Sequence, residues 1–194
     1  MGTPNSVAPI LEEIGAQGHE VVAIYTAQET GQRSRGGSST SSIRDLASLN
    51  GIPLYEPETL RSPKEIKLFR ELAADVIILA AYGKILPKEL LEIPLRGCLN
   101  IHPSLLPRHR GATPVVETIL EGDEQAGASI FLMDEGVDTG PILAQQEMKL
   151  SGNETTGALT IELFALGAAL LGRVLTQYLE GSLLPRKQPT SGIT

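Results

Sequence analysis

The stretch Gly97 to Pro114, GCLNIHPSLLPRHRGATP, decides how this chain is read. It opens as a short apolar strand, Cys98 to Ile101, and then becomes a loop. At the junction it sets Asn100 and His102 two residues apart. Strand side chains alternate in direction, so residues i and i+2 point to the same side. An amide and an imidazole therefore share one spot at the end of a strand, which is where open α/β sheets bind ligands. This is the candidate reaction centre.

Working outward, Asp75 to Ala81 (DVIILAA) is a continuous apolar run, as expected of a parallel strand buried on both faces. Tyr82-Gly83 turns the chain, and Pro87 to Ile93 reads as a short helix. Further upstream, VAPILEEIGAQG predicts a helix capped by Thr3 or Asn5, with Pro9 in its first turn. His19 to Thr26 predicts a strand. Gln28 to Ser42 is a polar loop rich in Gly, Ser and Arg, ending in possible caps at Thr40, Ser41 or Ser42 for a helix over Ile43 to Leu49. Pro53 to Tyr55 predicts a brief strand, and Ser62 caps a helix from Pro63 to Leu72. Downstream, a helix over Pro114 to Glu121 starts at Thr113. Strands follow over Ala128 to Met133 and Ile142 to Leu150, then a long helix from Thr155 to Gly181. Leu183 to Thr194 reads as a polar tail with no reason to fold alone. Helix and strand alternate, which predicts an α/β open sheet whose last two strands are placed to pair antiparallel. The chain starts with a helix, so the strand that usually opens a doubly wound sheet is expected to be missing. The empty slot would leave backbone groups of its neighbours unpaired and the sheet destabilised.

Composition excludes several functions. Of 194 residues, 16 are basic and 23 acidic, a net charge of -7, so the surface as a whole repels nucleic acid. Contact with RNA must come from a local basic segment; Arg33, Arg35 and Arg44 in and beside the glycine-rich loop are the candidates. The single cysteine, Cys98, excludes an internal disulfide and reads as a small buried hydrophobe. No apolar run reaches the ~18–20 residues of a membrane span, and no signal peptide is evident. The expected location is the cytoplasm, or an organelle lumen behind a targeting segment.

No dinucleotide fingerprint, phosphate loop or nucleophile elbow is present, and His19, His102 and His109 lie in no metal-ligand spacing. What remains is Asn100, His102 and a later carboxylate. Asp138 is the best candidate, in a loop bounded by Gly136 and Gly140 that lets backbone approach a ligand. An amide and an imidazole can stabilise an oxyanion, and a carboxylate can orient the imidazole and hold it protonated. The set suits acyl transfer to an amine without a covalent enzyme intermediate. On chemistry alone such a pair with a distant Asp is more often structural, His102 before Pro103 merely closing a turn. Ser104-Leu105-Leu106-Pro107 is apolar for a loop, which fits either ligand packing or core burial. Arg108 and Arg110 beside it could bind an anion or face solvent.

The stretch LNIHPSLLPRHRGATP, followed by MDEGVDTGPIL, resembles the formyltransferase family that uses 10-formyltetrahydrofolate. MGTP, GIPLYEPETLR, AAYGKILP and QPTSGIT fit the branch acting on initiator tRNA, and the resemblance spans essentially the whole chain. It implies a Rossmann-like, mostly parallel twisted sheet with helices on both faces. It implies Asn100, His102 and Asp138 as the catalytic trio. It further implies Ser104, Leu105, Leu106 and Pro107 at the folate, with Ile85, Leu86 and the loop Asp134, Glu135, Gly136, Val137 and Asp138 closing round the pterin. The acceptor it implies is the α-amino group of methionine on initiator methionyl-tRNA, with Arg33 and Arg35 touching the tRNA. Neither a metal nor a membrane partner is implied, and a monomer is expected. Residues 1–182 would form the catalytic domain and 183–194 the start of a linker to a C-terminal β-barrel. The family's opening strand and that barrel are the departures, as are serines where the basic loop usually has lysines. An amino sugar or glycinamide ribonucleotide as acceptor, or a catalytically silent folate-binding fragment, are the alternatives.

Overall fold

The computed structural model describes residues 1–2, 5–27 and 43–194. Arg33, Arg35 and the caps expected at Thr3 and at Thr40 to Ser42 lie outside the described residues. A 3-10 turn, Asn5–Val7, leads into α1 (Ala8–Ala16), so the N-cap position falls on Val7 rather than on Asn5. β1 (Ile24–Tyr25) is shorter than the strand expected over 19–26. Its ladder partner β2 (Leu54–Tyr55) is only two residues long, with α2 (Ile43–Leu49) between them. α3 (Pro63–Leu72) starts as expected: Ser62 Oγ accepts from Glu65 N–H at 3.2 Å, with Pro63 at the first helical position.

The centre of the molecule is a four-stranded sheet in the order β3 (Ile77–Leu79), β4 (Cys98–His102), β5 (Gln125–Leu132), β6 (Ile142–Lys149). α4 (Lys88–Leu91) connects β3 to β4 and α5 (Pro114–Leu120) connects β4 to β5. β3–β4 is parallel, as is β1–β2, whereas β4–β5 and β5–β6 are antiparallel. The Gly2–Ala80 bridge is parallel too, so the α/β sheet is as expected, with the antiparallel pairing confined to its β4–β5–β6 side. The short return from Leu132 to Ile142 leaves no room for a parallel crossover. Met1 and Gly2 join the two sheets: Gly2 N–H donates to Tyr25 O at 3.0 Å, and Ala80 N–H donates to Met1 O at 2.9 Å.

Alternation along β4 divides the core. Leu99 and Ile101 enter a cluster with Ile10, Ala47, Phe164 and Leu171, while Cys98 enters one with Phe69, Leu79 and Leu90. Helices α1, α2 and the long α6 (Thr156–Glu180) thus cover one face, and α3 and α4 the other. α6 is long and apolar enough to cross a membrane, although its sequence has no unbroken apolar run of that length. In the structure Leu159, Leu163 and Leu171 on it are fully buried against the sheet. The tail is also docked. Arg186 and Ile142 exchange two backbone hydrogen bonds of 2.7 Å, adding a bridge at the edge of β6, so the tail, which has no reason to fold alone, is docked against the sheet.

Candidate active site

β4 carries the site. Opposite Ser129 and Phe131 of β5, His102 and Asn100 take the same side of the strand. His102 is 5% exposed. Its Nε2 lies 2.8 Å from the carbonyl oxygen of His109, which can only accept, so Nε2 carries the hydrogen. Nδ1 is thereby the free ring nitrogen, and it faces Asp138 Oδ2 at 3.6 Å. His109 presents that carbonyl from a left-handed backbone (φ 54°), with its own ring held to Asp123 at 2.7 Å.

Burial pushes the His102 pKa below its ordinary 6.5; the Asp138 carboxylate and the His109 carbonyl pull it back by less. Burial thus favours the neutral imidazole and works against the expected role of Asp138 in keeping the ring charged. A neutral Nδ1 beside a carboxylate can accept a proton and share it with that carboxylate.

Asp138 is held at both its carboxylate and its carbonyl. Its Oδ2 accepts from Gly111 N–H at 2.8 Å, and its carbonyl accepts from Gln188 Nε2 at 2.8 Å. The same Gln188 nitrogen donates to Gly140 O at 2.8 Å. A Cβ on Gly140 would stand 1.8 Å from Leu132 O, so the chain can pass there only as glycine. Asp134 Oδ1 accepts from Gly136 N–H (3.0 Å) and Thr139 Oγ1 (2.7 Å), which closes the turn leading to Asp138. Gly111 and Gln188 had no role in the sequence reading; the only signal for Gln188 was its place in QPTSGIT.

The expected folate-site residues are placed as follows. Ser104, Leu106 and Pro107 are buried and Leu105 half-buried. Leu106 packs with Phe131 and Ile142, and Ser104 Oγ donates to Arg108 O at 2.7 Å, so core packing accounts for these two side chains. Ile85 (80% exposed) and Val137 (65%) stand out from the surface, while Leu86 is buried. Lys88 Nζ reaches Glu135 Oε1 at 2.6 Å, an exposed ion pair that links the segment after Leu86 to the 134–138 loop. Arg108 is not free for an anion: one guanidinium nitrogen lies 2.8 Å from Glu121 and 2.6 Å from Asp123. His109, Glu121 and Asp123 come within metal-binding distance of one another, yet that guanidinium lies between the two carboxylates. Arg110 donates to Gln188 Oε1 at 2.6 Å. Cys98 is buried, its thiol pKa pushed up to about 12, an inert packing residue.

Residues 1–175 match the family described as formyl transferase. The chain is similar to the methionyl-tRNA formyltransferase of Parvibaculum lavamentivorans, with 43% identity over 195 residues covering 100% of this chain and 63% of that protein. It is equally similar to that of Myxococcus xanthus, 43% over 194 residues, covering 100% and 62%. The chain thus spans less than two thirds of the length of these relatives. Among solved structures, the phosphoribosylglycinamide formyltransferase of Anaplasma phagocytophilum superposes with a TM-score of 0.78 at 19% identity, covering 100% of this chain and 93% of that one. A sugar 3N-formyl transferase in the presence of dTDP and 5-N-formyl-THF gives 0.76 at 20%, covering 100% and 66%. At these identities the likeness is one of fold.

Proposed function

The chain belongs to the formyl transferase family, and from that premise we propose that it moves the formyl group of 10-formyltetrahydrofolate to the α-amino group of methionine on initiator tRNA. The observation that carries this reading is the buried His102–Asp138 pair, Nδ1 to Oδ2 at 3.6 Å, two residues beyond Asn100 at the end of a strand. Formyl transfer needs a donor to the developing oxyanion and a group to carry one proton. Asn100 supplies an amide donor on the same side as His102. The amine nitrogen bonds to the formyl carbon and the carbon–N10 bond breaks. His102 Nδ1 takes the proton shed by the amine, Asp138 stabilises the imidazolium, and the proton passes to N10 of the leaving folate. The segments carrying Ile85, Leu86 and residues 134–138 would hold the pterin, and Leu105 with its neighbours would flank it.

The acceptor rests on the 43% likeness to proteins that act on methionyl-tRNA. Arg33 and Arg35 are proposed tRNA contacts in an otherwise acidic chain of net charge -7. The protein is proposed to work as a monomer in the cytoplasm or an organelle lumen. The test is a panel of acceptors with 10-formyltetrahydrofolate: methionyl-tRNA, glycinamide ribonucleotide and an amino-sugar nucleotide. Formylation of methionyl-tRNA alone is expected. Formylation of a small amine but never of the tRNA would overturn the assignment of acceptor and leave the chemistry standing.

A further inference from the structure

His102 has two neutral forms, with the hydrogen on Nε2 or on Nδ1, and only the first leaves Nδ1 free to take a proton. Its two neighbours favour opposite forms. The Asp138 carboxylate only accepts, so it favours a hydrogen on Nδ1, but at 3.6 Å it stands beyond hydrogen-bond reach. The His109 carbonyl, at 2.8 Å, favours a hydrogen on Nε2 and prevails. That carbonyl faces His102 from a residue at φ 54°, a left-handed backbone that residues other than glycine adopt uncommonly. Such a conformation persists only where its surroundings hold it.

A second imidazole–carboxylate pair, outside the reaction centre, supplies the hold. His109 is 4% exposed, and its ring Nε2 lies 2.7 Å from Asp123 Oδ2. Arg108 donates to the other oxygen at 2.6 Å and to Glu121 Oε2 at 2.8 Å. Burial alone would raise the Asp123 pKa; the hydrogen bonds from His109 and Arg108 and the nearby guanidinium together outweigh it, leaving the carboxyl below its ordinary 3.8. Asp123 is therefore a carboxylate at neutral pH, and His109 Nε2 must donate to it. Asp123 is itself anchored: its N–H donates to Thr118 O of α5 at 3.2 Å, just before β5 begins. A cavity of about 380 Å³ borders the pair, lined also by Leu105, Thr118 and Ala126, so packing does not fill the space beside the ring. The residue's other tether is its N–H, which donates to Thr194 Oγ1 at 2.8 Å.

We propose that His109 and Asp123 are positioning residues for formyl transfer. By tying the ring to the turn before β5, the pair keeps residue 109 left-handed, turns its carbonyl onto His102 and so reserves Nδ1 as the proton acceptor. Neither side chain touches a reacting atom. The effect on rate rests on the proposed reaction; the state of the His102 ring can be read without it.

The test is nitrogen-15 NMR of the ring nitrogens in the 194-residue chain, which has three histidines. It is run at pH 8, above the range in which His102 takes up its proton, on the native chain and on Asp123→Ala, His109→Ala and His109→Asn. Asparagine enters the left-handed region several-fold more readily than most residues. The native chain should carry the His102 hydrogen on Nε2. In Asp123→Ala and His109→Ala a population with the hydrogen on Nδ1 should appear. Single-turnover transfer at saturating donor should fall about tenfold in both, with donor binding unchanged. His109→Asn should recover part of the Nε2–H form and of the rate relative to His109→Ala. The two His109 variants leave both Arg108 ion pairs in place, so they decide the matter if Asp123→Ala does not fold. A His102 ring unchanged in His109→Ala, or equal losses in the alanine and asparagine variants, would overturn the proposal. A native chain that formylates no acceptor would overturn the proposed reaction instead, and the ring signals would still decide this inference.

Discussion

His102 sits where two influences oppose each other, and burial is the larger. Its imidazole should therefore titrate below 6.5, which NMR of the ring signals can follow directly. In Asp138→Asn the carboxylate that raises the pKa is gone, so the value should fall further. A His102 that titrates above 6.5, or a pKa that rises in Asp138→Asn, would contradict the geometry described. The sign also sets the pH response of the site. The neutral, proton-accepting form is present above the folded pKa and is lost as pH falls through it. Asn100 and His102 were legible from spacing alone, since alternation in a strand puts i and i+2 on one side. Their charge state was not. It depends on how deeply the strand end is covered, and no local pattern carries that.

At the level of elements, the close approach of α6 to the sheet rests on Gly167. A Cβ there would lie 2.5 Å from Ile101 Cγ2 and 3.4 Å from Ala128 Cβ. Alanine is the better helix former by about 1 kcal/mol, but overpacking a close contact costs about 1–3 kcal/mol. Gly167→Ala should therefore lower stability in denaturant unfolding, in spite of helix propensity. The docked tail gives a second expectation. Gln188→Ala removes the donor to both Asp138 O and Gly140 O. It should lower kcat by roughly tenfold, in line with a loss of about 1.4 kcal/mol at one hydrogen-bonded support, while the thermal midpoint moves little. The start of the helix over 63–72 could be read because Ser62 and Pro63 mark it, and the end of the one over 43–49 because Asn50-Gly51 follow it. The tail could not be read. Gln188 acts through backbone carbonyls 48 and 50 residues away, a contact that leaves no periodicity in a polar segment. The strand expected over 19–26 shrank to Ile24–Tyr25 because a strand persists only where a neighbour pairs with it.

For the whole molecule, the buried Met1 amine sets a pH dependence of folding. Burial lowers the pKa of the Met1 amine from 8.0 to about 5. Between those values the unfolded chain binds a proton that the folded chain does not. Stability therefore rises as pH goes from 5 to 8, and the full cost is present below pH 5. At about 1.4 kcal/mol per pH unit, the difference across the window is about 4 kcal/mol at most. The buried His102 adds an effect of the same sign below pH 6.5. Thermal unfolding at pH 5, 6.5 and 8 should show a rising midpoint. Acetylating the N-terminus, or extending the chain ahead of Met1, should remove the part between pH 6.5 and 8. A flat profile would mean that the amine reaches water.

The central claim is that His102, backed by Asp138, carries the proton in formyl transfer to methionyl-tRNA. Single-turnover transfer from 10-formyltetrahydrofolate to methionyl-tRNA, measured for the 194-residue chain and for His102→Ala with donor saturating, tests it most directly. The expected result is transfer by the chain and a rate at least ~100-fold lower in the variant, with donor binding unchanged. Equal rates for the two proteins would contradict it.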